Sequence, residues 1–81
     1  MNVSKKLKQD ISIGINLQRL RKNVDLSQEE VAAKLQLMGL DTSREIVSRM
    51  ELGKYSIRIS VLKALKKIYQ ADSYDEFFKD I

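Results

Sequence analysis

Ser43, Arg44, Glu45, Ser48 and Arg49 share an eight-residue segment with Ile46, Val47 and Met50. At 100° per residue the three apolar side chains cluster on one side, and Arg44, Glu45, Ser48 and Arg49 centre on the other. The polar set is suited to reading planar hydrogen-bonding edges. Arginine donates two parallel bonds to guanine, serine adapts to several bases, and glutamate accepts from cytosine. A plainer use is open at Glu45 and Arg49, whose i, i+4 spacing suits a surface ion pair worth ~0.3–0.5 kcal/mol.

Other residues have the chemistry to hold a polyanion in register. Gln28 opens a helix, where free backbone amides and the positive dipole end favour an anion. Lys54, Ser56 and Arg58 follow Gly53 in a loop and are candidates for phosphate contacts, which position without specifying sequence. Lys63, Lys66 and Lys67 lie on one helix face and are expected to be simply solvated. Glu51 sits at a helix C-terminal end, where the macrodipole disfavours it. A cation would relieve it, and Arg21 is the candidate; the pair would set an interhelical angle.

Five helices are expected to position these groups. The first, about 11–23, carries Ile13, Leu17, Leu20 and Val24 at helical spacing, with Gly14 marking close approach of another backbone. The second opens at Ser27, where Ser27 and Glu30 form a capping box and Leu26 and Val31 a hydrophobic staple. It buries Val31, Ala32 and Leu35, and Gly39 provides a left-handed stop. Thr42 and Glu45 repeat the box for a third helix, with Ser43 a competing cap, and Gly53 closes it. A fourth is expected after Ser60, burying Val61, Leu62, Leu65, Ile68 and Tyr69. Ser73 and Glu76 form another box before a short helix with Tyr74, Phe77, Phe78 and Ile81 on one stripe.

The composition narrows the function classes. Eighty-one residues, 43% hydrophobic and 32% charged, are expected to form one soluble domain at 11–81 behind a basic tail at 1–10, with no separate effector domain. No apolar run approaches the ~20 residues of a membrane span, and no secretory signal is evident, so a cytoplasmic location is expected. The absence of cysteine removes disulfides and thiolate metal sites. The absence of histidine removes the commonest general base and metal ligand. Neither an enzyme, a metal nor a cofactor is expected. Residues 42–67 hold seven bases and two acids, whereas residues 70–81 hold one base and four acids. One face is thus suited to polyanions and another is not.

Leu20-Arg21, Leu26-Ser27-Gln28-Glu29-Glu30-Val31-Ala32 and Ser43-Arg44…Val47-Ser48-Arg49-Met50-Glu51-x-Gly53-Lys54 together resemble the phage-repressor-type helix-turn-helix family, the Cro/CI or Xre group. The resemblance implies an all-α, compact five-helix lambda-repressor-like domain whose helices 2 and 3 form the helix-turn-helix. It implies a sequence-specific double-stranded DNA-binding transcriptional regulator, a repressor by preference. Such a protein reads the major groove with helix 3, about 43–52, as a homodimer on a palindromic operator. By position, Gln28 matches the family's phosphate-contacting glutamine, Ser43, Arg44, Glu45 and Ser48 its base-contacting positions, and Arg21 and Glu51 its interhelical ion pair. Two departures stand out. Five extra residues between Leu35 and Ser43 should lengthen helix 2 to about Met38 and enlarge the 36–41 connection, and Leu52 replaces a frequent asparagine. The alternatives are the antitoxin of a toxin–antitoxin pair, and a helical module that binds a protein partner without DNA. The second draws on the four aromatics in the last thirteen residues.

Overall fold

The computed structural model of the chain describes residues 6–7 and 11–81. Four α-helices account for most of it: α1 (Gly14–Asn23), α2 (Gln28–Leu37), α3 (Arg44–Glu51) and α4 (Ile59–Ile68). Two-residue strands β1 (Lys6–Leu7) and β2 (Ile57–Arg58) pair antiparallel, with Lys6 opposite Arg58 and Leu7 opposite Ile57. A 3-10 helix, Tyr74–Phe78, is the last element. Of the expected tail at 1–10, only residues 6–7 are described, and they form β1; the rest lies outside the described residues.

Side-chain caps decide two of the helix starts. The Ser27 hydroxyl accepts from the Glu30 amide at 3.0 Å, and the Ser27 amide donates to Glu30 Oε1 at 2.9 Å, so the capping box at α2 is complete. At α3 the cap is Ser43, whose hydroxyl accepts from the Ile46 amide at 3.2 Å. Thr42 does not compete: it is buried, and its Oγ1 has no hydrogen-bond partner among the described residues.

All four helix ends close in the same way. After α2, the Gly39 amide donates to the Gln36 carbonyl and Leu40 to the Leu35 carbonyl. Asp25, Gly53 and Gln70 take the place of Gly39 after α1, α3 and α4, with the same pair of bonds. Each of these residues has positive φ, as this closure demands: 56° at Asp25, 81° at Gly39, 74° at Gly53 and 55° at Gln70.

Leu17 and Leu20 of α1, Val31 and Leu35 of α2, Val47 and Met50 of α3, and Val61, Leu62 and Leu65 of α4 meet in one buried core with Ile57, Tyr69 and Phe77. α1 crosses α3 closely enough that a side chain at Gly14 would collide with the Glu51 carbonyl. The glycine therefore serves interhelical packing, which offsets its helix-propensity cost of roughly 1 kcal/mol.

Several expected boundaries move. α1 begins at Gly14, because Ser12 accepts the Gly14 amide and Ile13 supplies the first helical carbonyl, to Leu17. α4 begins at Ile59, before Ser60, since β2 runs straight into it with Arg58 at the cap position. The fifth helix is a single 3-10 segment. Ser73 caps it by accepting from Asp75 at 3.2 Å, while the Glu76 carboxylate turns to Arg19 at 3.6 Å and so completes no box. With three residues per turn, Tyr74 and Phe77 eclipse, their rings 6.2 Å apart, and the expected stripe breaks. Only Phe77 is buried; Tyr74, Phe78 and Ile81 are exposed.

Candidate nucleic-acid interface

α2 and α3 pack together, and α3 packs in turn on α1. Val47 and Met50 anchor α3 to the core, which leaves Arg44, Glu45 and Arg49 exposed and Ser43 and Ser48 half-buried. Ser43 uses an oxygen lone pair as the cap, so its O–H is left to donate. The polar residues of α3 therefore line its outer side. Glu45 and Arg49 form no ion pair: the salt bridges among the described residues are Arg19–Glu76 and Arg21–Glu51.

The angle between helices is fixed by a buried charge pair. Arg21 Nε and Nη2 donate to Glu51 Oε2 and Oε1 at 2.7 and 3.0 Å, while Arg21 Nη1 donates to the Leu26 carbonyl at 2.9 Å. Only 4% of the Glu51 side chain and 11% of Arg21 remain accessible. The hydrogen bond to Glu51 holds the Arg21 guanidinium pKa above its ordinary value, against an opposing effect of burial. A bidentate pair of this kind links the end of α1 to the end of α3 in one geometry. Gln28 joins it, donating from Nε2 to Glu51 Oε1 at 3.1 Å. Gln28 is thus bound to the interhelical pair through one N–H, and its amide carries a second.

Arg44 and Gln28 lie along the same open depression, together with Gln18, Lys22, Ala33 and the acidic first turn of α2, Glu29 and Glu30. Glu30 is held by the Ser27 backbone amide and hydroxyl, which lower its pKa. Arg49 lies elsewhere, at the far end of α3. Its guanidinium carbon sits over the Tyr55 ring at 5.8 Å from the centroid, a cation–π contact. Lys54 and Arg58 are exposed and Ser56 half-buried in the segment after α3. The structure thus gathers Gln28 with Arg44, but separates Arg49, Lys54, Ser56 and Arg58 from that depression.

The long connection has its own support. α2 runs to Leu37 with Met38 at its cap, and Gly39 turns the chain. Gln36 Nε2 then donates to the Thr42 carbonyl at 2.8 Å, bracing the turn immediately before the Ser43 cap. Neither Gln36 nor Tyr55 stands out in the sequence. The one available signal for Tyr55 was an aromatic placed two residues beyond a helix-closing glycine, within reach of Arg49.

α2 packed on α3, with α3 tied to α1 by the Arg21–Glu51 pair and offering a polar outer face, defines a helix-turn-helix domain. A helix-turn-helix family model matches residues 17–73, and the chain belongs to that family, the Cro/CI/Xre type. No curated protein and no solved structure matches it. The family is one of DNA-binding regulatory domains and not usually of enzymes, and its ligand is double-stranded DNA. Among the described residues no helix is long and apolar enough to cross a membrane.

Proposed function

We propose that the protein is a sequence-specific transcriptional regulator of the cytoplasm, acting as a repressor by occupying a palindromic operator as a homodimer. The observation that carries this reading is Arg44. It is exposed in the first turn of α3 and lines the same depression as Gln28 at the start of α2. α3 would enter the major groove by its N-terminal end, with Ser43, Arg44, Glu45 and Ser48 toward base edges. Arg49, steadied by Tyr55, would reach the next base pairs or their phosphates. Gln28 would donate its second N–H to a phosphate, with Lys22 and Arg44 offsetting the negative charge of Glu29 and Glu30. Lys54, Ser56 and Arg58 would hold the backbone further along.

Selection of bound duplexes from a random pool, followed by sequencing, tests the whole reading. A palindromic consensus with half-sites about 34 Å apart, one helical turn, is expected for a dimer. An asymmetric consensus would remove the dimer, and no enrichment at low salt would remove sequence-specific binding. Affinity for the selected duplex should also fall steeply as salt rises, since bound phosphates release counterions.

A further inference from the structure

The end of α2 away from Gln28 is apolar and unusually exposed. Leu37 is 88% accessible, Met38 46% and Tyr74 40%. With Leu40, Ala64 and Ile68 they line two neighbouring depressions, between the end of α2, α4 and the chain after it, that share Met38 and Lys67. Lys34, Lys63, Lys66 and Lys67 rim these depressions, and no acidic residue lines either. None of the four lysines has a carboxylate within ion-pair distance among the described residues. Lys66 rests over the Tyr74 ring at 5.6 Å, and Lys34 acts on Glu30 one turn away only through its field.

A polyanionic backbone alone does not account for this surface, because phosphates gain nothing from exposed leucine, methionine and tyrosine. An apolar floor inside a ring of cations matches a ligand that is apolar on one side and acidic on the other. We propose that the groove between the end of α2 and α4 docks an acidic amphipathic helix of a protein partner. Gln28 and Leu37 stand at opposite ends of α2, roughly 14 Å apart along its axis at 1.5 Å per residue. The domain therefore holds DNA at one end of α2 and the partner at the other, and both are bound together.

The test uses the full chain and a synthetic helical peptide with leucine and phenylalanine on one face and glutamate on the other. A scrambled isomer of the same composition is the control. Amide and methyl chemical shifts should move at Met38, Ala64, Lys67 and Tyr74 with the periodic peptide, and not with the scrambled one. Leu37→Lys and Lys67→Glu, both at exposed positions, should together weaken that peptide by ~10-fold or more, a change of about 1.4 kcal/mol, and leave duplex affinity unchanged. Added duplex DNA should leave the peptide bound. Equal response to the scrambled peptide, no response at millimolar concentration, or displacement by duplex would each overturn the proposal. So would sedimentation showing a dimer that Leu37→Lys dissociates, which would give the groove to a second copy of this chain.

Discussion

Arg21 and Glu51 carry the largest single-residue consequence. Truncating Arg21 to alanine leaves a nearly inaccessible carboxylate without its cation, which costs about 3–5 kcal/mol. Urea unfolding should register that loss, and Arg21→Met with Glu51→Leu should recover much of it by removing both charges. Arg44 and Gln28 separate by specificity rather than by stability. Arg44→Ala is expected to cost ~1–3 kcal/mol at one base pair and to relax preference there, whereas Gln28→Ala should weaken all duplexes alike. Titration of the variants against single-base substitutions of the selected site would distinguish them, and unchanged specificity in Arg44→Ala would remove it from the reading surface. Two residues give the stability opposite pH dependences. The lowered Glu30 pKa stabilises the fold above the ordinary carboxylate value, and that contribution is lost as pH falls through the folded value. Burial, and the Glu51 charge after it, raise the Tyr69 pKa above its ordinary 10.0. The stability from keeping Tyr69 neutral is complete below that value and is lost as pH rises through the higher folded one. Thermal melting should therefore show an acid limb reduced in Glu30→Gln and an alkaline limb reduced in Tyr69→Phe.

At the scale of elements, the helix ends are the feature with consequences. Four closures use positive φ, but glycine occupies only two of them. Asp25 and Gln70 adopt a left-handed conformation that costs an ordinary L-residue roughly 1–2 kcal/mol. Asp25→Gly and Gln70→Gly should each raise the melting temperature, with the gain reduced by the greater freedom of glycine in the unfolded chain. Gly39→Ala should do the reverse by about the same amount, since nothing lies within 4 Å of its missing side chain and only the backbone conformation resists. Gly14→Ala should be worse than Gly39→Ala, because it drives α1 away from the Glu51 carbonyl and disturbs the Arg21–Glu51 geometry as well. A smaller loss at Gly14 than at Gly39 would mean that the α1–α3 crossing relaxes freely. The extended turn before α3 rests on Gly39 together with the Gln36–Thr42 bond, so Gln36→Ala should lower duplex affinity by loosening the start of α3.

Across the whole molecule, charge and apolar surface are divided between regions. α3 and the segment after it expose Arg44, Arg49, Lys54 and Arg58. The lysine-rimmed apolar groove lies by the end of α2, and the acidic C-terminal stretch is pinned to α1. Asn16, itself buried, donates to the Phe77 and Lys79 carbonyls at 3.0 and 2.8 Å, and Arg19 holds the Glu76 carbonyl at 3.0 Å. These bonds explain why the last segment is ordered against α1 although only Phe77 of its aromatic stripe is buried. Asn16→Ala should therefore release Phe77 and lower overall stability, while α2 and α3 keep their mutual packing.

Local chemistry alone determined the parts that depend on neighbours in the chain. The Ser27–Glu30 box, the Gly39 and Gly53 stops and the apolar side of α3 follow from spacing, because caps and helix periodicity act over three or four residues. The family was legible for the same reason, since its motifs lie in these local signals. The tertiary structure decided what depends on distant partners. It drew Glu76 to Arg19 and so left Ser73 without its box, kept the last segment to a short 3-10 helix, and placed Arg49 on Tyr55. It also closed α1 and α4 on Asp25 and Gln70, where no glycine announces a stop, because packing beyond those ends outweighs the backbone cost. The groove beside α4 arises likewise only when residues more than thirty positions apart, such as Leu40 and Tyr74, are folded onto one surface.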